Sequence, residues 1–180
     1  RNCCSACYSS YAPLRLESLA CFFGSNYMVT VHSAELASVS DMRERLAADA
    51  AAMELGAERN VADLADRLLD GYAERLDQLV ARVDAAMESR GSLAELSRAG
   101  GDLGRLGRGL TGCGAALREV AASNAPEMSD AARAGFLSLA DRAATLQSHQ
   151  IQAAQRASAA LAALGAQAVA QRLSQGLGWL

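Results

Sequence analysis

A chain of 180 residues is long enough for one domain, or for a small domain with an appendage. Its net charge of −3, with arginine as the only cationic side chain apart from His32 and His149, gives no electrostatic reason to expect nucleic acid as a partner. Hydrophobic residues make up 51% of the chain but aromatics only 4%, so a core must be assembled from leucine and alanine through many close contacts.

Ile151 is the only isoleucine, and Ala, Leu, Glu, Gln and Arg are strong helix formers. The fold class this predicts is all-α, an antiparallel helical bundle of about four helices rich in Ala and Leu. No run approaches the roughly 18–20 apolar residues of a membrane span. No basic stretch leads into an apolar one at the start, so a secretory signal is not expected.

Residues 1–27 differ from the rest. They hold Cys3, Cys4, Cys7 and Cys21 and most of the aromatics, without a helical period. The composition changes at Met28, which reads as an initiator, with the preceding segment non-native or disordered. The domain reading is therefore 1–27 as a segment apart and 28–180 as one helical bundle. Cys4-Ser5-Ala6-Cys7 is a C-x-x-C to which Cys21 or His32 could add. Structural zinc draws on two such pairs, however, and the second is missing.

A first helix is expected from the stretch between Ser33 and Ser40 to about Leu55, with Leu36, Val39, Met42, Leu46, Ala50 and Met53 on one face. Gly56 is its stop. Asn60, with Asp63 three residues on, opens a second helix. Its buried stripe is Val61, Leu64, Leu68, Tyr72, Leu76, Leu79, Val83 and Met87, and Arg90 followed by Gly91 ends it. Ser92 and Glu95 form a capping box for the third.

That third helix carries a seven-residue rhythm. Leu96, Leu103, Leu110 and Leu117 alternate with Ala99, Leu106, Cys113 and Val120 as a and d positions, and Gly100, Gly107 and Gly114 follow at e. Seven glycines between residues 100 and 114 would cost an isolated helix about 1 kcal/mol each. The segment is expected to stay helical with a local irregularity, glycine letting a neighbouring backbone come close; a break into two pieces is the alternative. After a loop at Ser123, Asn124 and Pro126, Ser129 caps a last helix running from Asp130 to about Leu173. Leu139, Ala143, Leu146, Ala153, Ala157, Ala160 and Leu164 mark its buried side, with Gln150 as a polar interruption. An apolar tail holds the only tryptophan, Trp179, and is expected to fold back on a bundle end.

Candidate chemistry is thin. The run from Gly107 to Gly112 spells G-x-G-x-x-G, but no strand precedes it, so a dinucleotide site is not expected. Cys113 at a seam position reads as a small buried hydrophobe. His149 lies in a polar patch on the last helix and reads as solvent-facing or interhelical; a phosphotransfer histidine is the sharper alternative. No Glu-x-x-His supports a di-iron site, and no nucleophile elbow supports a Ser-His-Asp triad. No catalytic, cofactor-binding or metal-ligating residue is assigned, and no cofactor is expected.

Residues 130–180, with their Gly176-Leu177-Gly178-Trp179 ending, resemble flagellar export chaperones of the FlgN type, all-α proteins that hold hook-associated subunits before secretion. The leading function, expected from the abundant interhelical surface and the lack of a site, is a non-catalytic, cytoplasmic protein that binds a partner protein or a second copy through helix faces, as a scaffold or chaperone, with an export chaperone of the FlgN type as an alternative. A peripheral membrane or granule-surface protein is an alternative that the missing lysine and negative charge disfavour. A helical-bundle enzyme is the remaining alternative.

Overall fold

A computed structural model of the chain describes residues 19–24, 27–32, 36–49, 56–88, 93–123 and 128–177. Several expectations lie outside the described residues: Cys3, Cys4 and Cys7, the end of the first helix at Leu55, Arg90 and Gly91, the Ser92 cap, Asn124 and Pro126, and the Trp179 tail. Two strands, β1 (Leu19–Phe23) and β2 (Met28–His32), precede four helices: α1 (Ala37–Ala48), α2 (Ala57–Glu88), α3 (Leu93–Ala122) and α4 (Asp130–Leu177). The all-α bundle is what forms.

The three long helices run up, down and up. Arg142 of α4 pairs with Asp66 and Asp70 of α2, and Arg156 with Asp84, so α2 and α4 are parallel. Asp102 and Gly109 of α3 meet Arg82 and Tyr72 of α2 in reverse order, so α3 is antiparallel to both neighbours. One continuous core joins them, with Leu69, Leu79, Val83, Leu96, Leu103, Leu106, Phe136 and Ala140 fully enclosed.

The heptad seam is present, and the glycine-rich stretch is one unbroken helix. Leu96, Leu103, Leu110 and Leu117 are all buried, as are Ala99 and Leu106; Cys113 and Val120 are half-buried. Three glycines explain the continuity. A Cβ at Gly107 would lie 2.6 Å from Gln150 Oε1, and one at Gly109 would lie 2.8 Å from the Tyr72 hydroxyl. At Gly114 it would meet the Ala143 Cβ at 3.5 Å. The close approach of α2 and α4 offsets the lost propensity, and neither an irregularity nor a break is needed.

Three expectations about elements need correction. The buried stripe of α2 uses Leu69 and Ala86 rather than Leu68 and Met87, because α2 faces two helices and its buried arc is wider than a single seam. Asn60 is not the opener. It is buried inside the first turn of a helix that starts at Ala57, where Gly56 takes a positive φ of 84°. Gly56 therefore leads into α2 and is not the stop of α1, whose cap is Asp49. The first helix ends at Ala48, with Asp49 extended (φ −131°, ψ 100°), so it does not run on unbroken toward Leu55; of its residues Met42 is buried.

The strands β1 and β2 pair antiparallel, with Phe22 opposite Val29 and Phe23 opposite Met28. The boundary drawn at Met28 falls at the start of β2. Cys21, Phe23 and Met28 pack against the bundle core, with the Phe23 and Phe136 ring centroids 6.2 Å apart. The signal was alternation, Met28-Val29-Thr30-Val31-His32, after the turn residues Gly24-Ser25-Asn26.

Candidate functional site

Among the described residues, a polar layer joins the three long helices between Asp102 and Thr111 of α3. Asp102 of α3 is 3% exposed. It pairs with Arg105 one turn on at 2.6 Å and with Arg82 of α2 at 3.6 Å. Burying a carboxylate is costly unless it is paired, and two guanidinium groups here supply the pairing. One turn further, Gln150 of α4, 6% exposed, donates Nε2–H to the Leu103 carbonyl at 2.9 Å. The Gly107 backbone makes room for it. Thr111 donates to the Gly107 carbonyl at 2.9 Å and accepts from Gln147 Nε2 at 2.7 Å. This layer ties all three helices at one level. It joins one carboxylate, two guanidinium groups, two side-chain amides and a hydroxyl in fixed contacts that position the helices.

The residues singled out in the sequence are not brought together. The G-x-G-x-x-G run lies inside α3, its N–H groups used in the helix ladder rather than turned toward a phosphate. Cys113 is half-buried near Tyr72, and burial pushes its thiol up from the usual range. Burial first, and then Cys113, raises the Tyr72 phenol as well. Cys21 faces the core from β1, and burial likewise raises its thiol. His32 ends β2 opposite Leu19. His149 is exposed on α4 and lines an open groove of about 780 Å³ with Gln152 and Arg156, facing Leu76, Asp77 and Val80 of α2. Among the described residues no group of three or more His, Cys, Asp or Glu side chains could hold a metal ion. No helix of the described residues is long and apolar enough to cross a membrane.

A model of the CorA-like Mg2+ transporter protein family matches residues 7–177, nearly the whole chain. The chain belongs to this family. No curated protein matches it, and neither does any solved structure. Membership of the CorA-like family overturns the expected scaffold or chaperone function and the likeness to export chaperones, since the family is one of ion transporters. It overturns the cytoplasmic location for the same reason, because transport is work done at a membrane. It also removes support for setting the membrane aside as a partner. The family is not one of enzymes. The physical origin of the difference is that packing residues say how helices associate, not what their assembly does.

Proposed function

We propose that this chain serves Mg2+ transport across a membrane, with the described helices forming a structural part of the transporter beside the path of the ion. The observation that carries this reading is the family match over residues 7–177. Mg2+ is the cargo; it requires oxygen ligands in near-octahedral array and keeps much of its water. The described helices instead offer a rigid rod: α4 has 48 residues, roughly 72 Å at 1.5 Å per residue. Leu137, Ile151 and Val169 stand exposed along it. Association of copies through these faces belongs to the same reading, since helical rods with exposed apolar residues pack readily against their own kind.

The test is uptake. The protein, expressed in its full natural context in a bacterial strain lacking Mg2+ import, restores growth at limiting Mg2+. Membrane vesicles carrying it show Mg2+ entry by an internal dye under an inward gradient. Vesicles that contain the protein and admit no more Mg2+ than protein-free vesicles overturn the proposal. Sedimentation of the same preparation shows a species heavier than the monomer, and a strictly monomeric protein removes the self-association.

A further inference from the structure

The α3 sequence repeats more than its seam. Glu95 and Asp102 are both acids, Leu96 and Leu103 both leucines, Arg98 and Arg105 both arginines, and Gly100 and Gly107 both glycines, each pair seven residues apart. These are the residue types that tie α3 to its neighbours. Asp102 meets Arg82 at 3.6 Å and Arg105 at 2.6 Å, Leu103 offers its carbonyl to Gln150, and Gly107 admits the Gln150 side chain.

We propose that α3 has two registers in the bundle, the described one and a minor one displaced by a heptad toward the C-terminal end of α3, about 10.5 Å at 1.5 Å per residue. In the displaced register Glu95 takes the place of Asp102 beside Arg82, and Arg98 takes that of Arg105. Gly100 comes opposite Gln150, and Leu96, Leu103 and Leu110 occupy the places of Leu103, Leu110 and Leu117. The contacts of Asp102 and Gln150 each have a chemically matched replacement, whereas Gly104, coming to the place of Thr111, leaves Gln147 without its hydroxyl partner. A shift the other way would bring Gly109 opposite Arg82 and leave that guanidinium without a carboxylate.

The described register remains the major one for identifiable reasons. Displacement puts Ala99 where Leu106 now fills the core, loses one leucine layer, and brings Asp102 to the place of Gly109, where the Tyr72 hydroxyl leaves little room. The connection at residues 89–92 has the reach. Five peptide steps at up to about 3.6 Å each exceed the roughly 15 Å that separates helix ends 10 Å apart sideways and 10.5 Å along the axis. Helices that shift by discrete steps past one another are a known kind of two-state element. This proposal stands on α3 alone and is independent of the transport reading.

Disulfide trapping tests it, in the full chain with its native cysteines replaced. Thr111→Cys with Gln147→Cys reports the described register, because these side chains already touch. Gly104→Cys with Gln147→Cys reports the displaced one, since residue 104 then occupies the place of Thr111, and a side chain at 104 meets nothing within 4 Å. Under mild oxidation the 104–147 bridge forms in a minor fraction. Asp102→Ala raises that yield several-fold by removing the acid of the described register. Glu95→Ala lowers it several-fold relative to the 111–147 bridge, with the helical circular dichroism signal retained. Bridging through general loosening would ignore Glu95. Absence of the 104–147 bridge overturns the proposal, and so does a yield that either substitution leaves unchanged.

Discussion

Gly107 and Gly104 sit three residues apart on α3 and lead to opposite expectations. A methyl at residue 107 collides with Gln150, whose amide is held by the Leu103 carbonyl and is buried among three helices. Gly107→Ala is therefore expected to lose about 1–3 kcal/mol through overpacking, despite its better propensity. At residue 104 the added Cβ meets nothing, and Gly104→Ala gains up to about 1 kcal/mol. Thermal melts of the two variants check this, with shifts of opposite sign. The Cys113 thiol gives a pH expectation. Its ordinary value is 9.0, and burial raises it in the folded state. Below that ordinary value both states hold the proton and nothing changes. Above it the unfolded chain sheds its proton first, so stability falls as pH rises toward the folded value. The melting temperature should fall as pH rises above about 9, and Cys113→Ala should make that fall shallower.

Among the elements, α3 and α4 depend on one junction. The Ser129 hydroxyl oxygen accepts from the Ala132 N–H at 3.1 Å and caps α4. Arg133, one turn into α4, donates to the carbonyls of Ala121 at 3.0 Å and Ser123 at 2.5 Å, satisfying the end of α3. Ser129→Ala is expected to cost about 1 kcal/mol. Arg133→Ala should fray the end of α3, read as faster amide exchange from Val120 to Ala122 than in the rest of that helix. How legible these elements were depends on how local their signals are. The Ser129 cap and the leucine seam could be read directly because each is set within one or two turns of chain. The hairpin escapes a sequence reading because its strands are five residues each, too short for a period to stand out, and the pairing of Phe22 with Val29 is a contact between strands. The switch from Leu68 to Leu69 in α2 was not readable, since it depends on where the third helix lies.

Across the molecule, α4 outreaches its partners. Opposing positions on α3 and α4 place Leu93 near Leu164, so the remainder of α4, from Gly165 to Leu177, runs about 20 Å past the bundle at 1.5 Å per residue. Val169 on this extension is exposed. Truncation after Leu164 should therefore leave the melting temperature within about 2–4 °C, the effect of a 1 kcal/mol change in a chain this size, since little core is lost. The interhelical ion pairs around Arg142 and Arg156 lie at the surface and are screened by salt, so raising ionic strength should lower stability only slightly. A large salt effect in a titrated melt would show that these arginines do more than decorate the groove.

Leucine spacing, alanine content and the Ser129 cap were enough, by themselves, to determine that the chain is helical and which side of α3 is buried. These properties follow from 3.6-residue periodicity and need no partner. Only the tertiary structure decided that residues 100–114 form one helix, that Gln150 is enclosed rather than exposed, and that Asp102 is held between two arginines. Each of those outcomes depends on what a second or third helix places opposite, where a missing Cβ or a facing guanidinium offsets a local cost of about 1 kcal/mol or more.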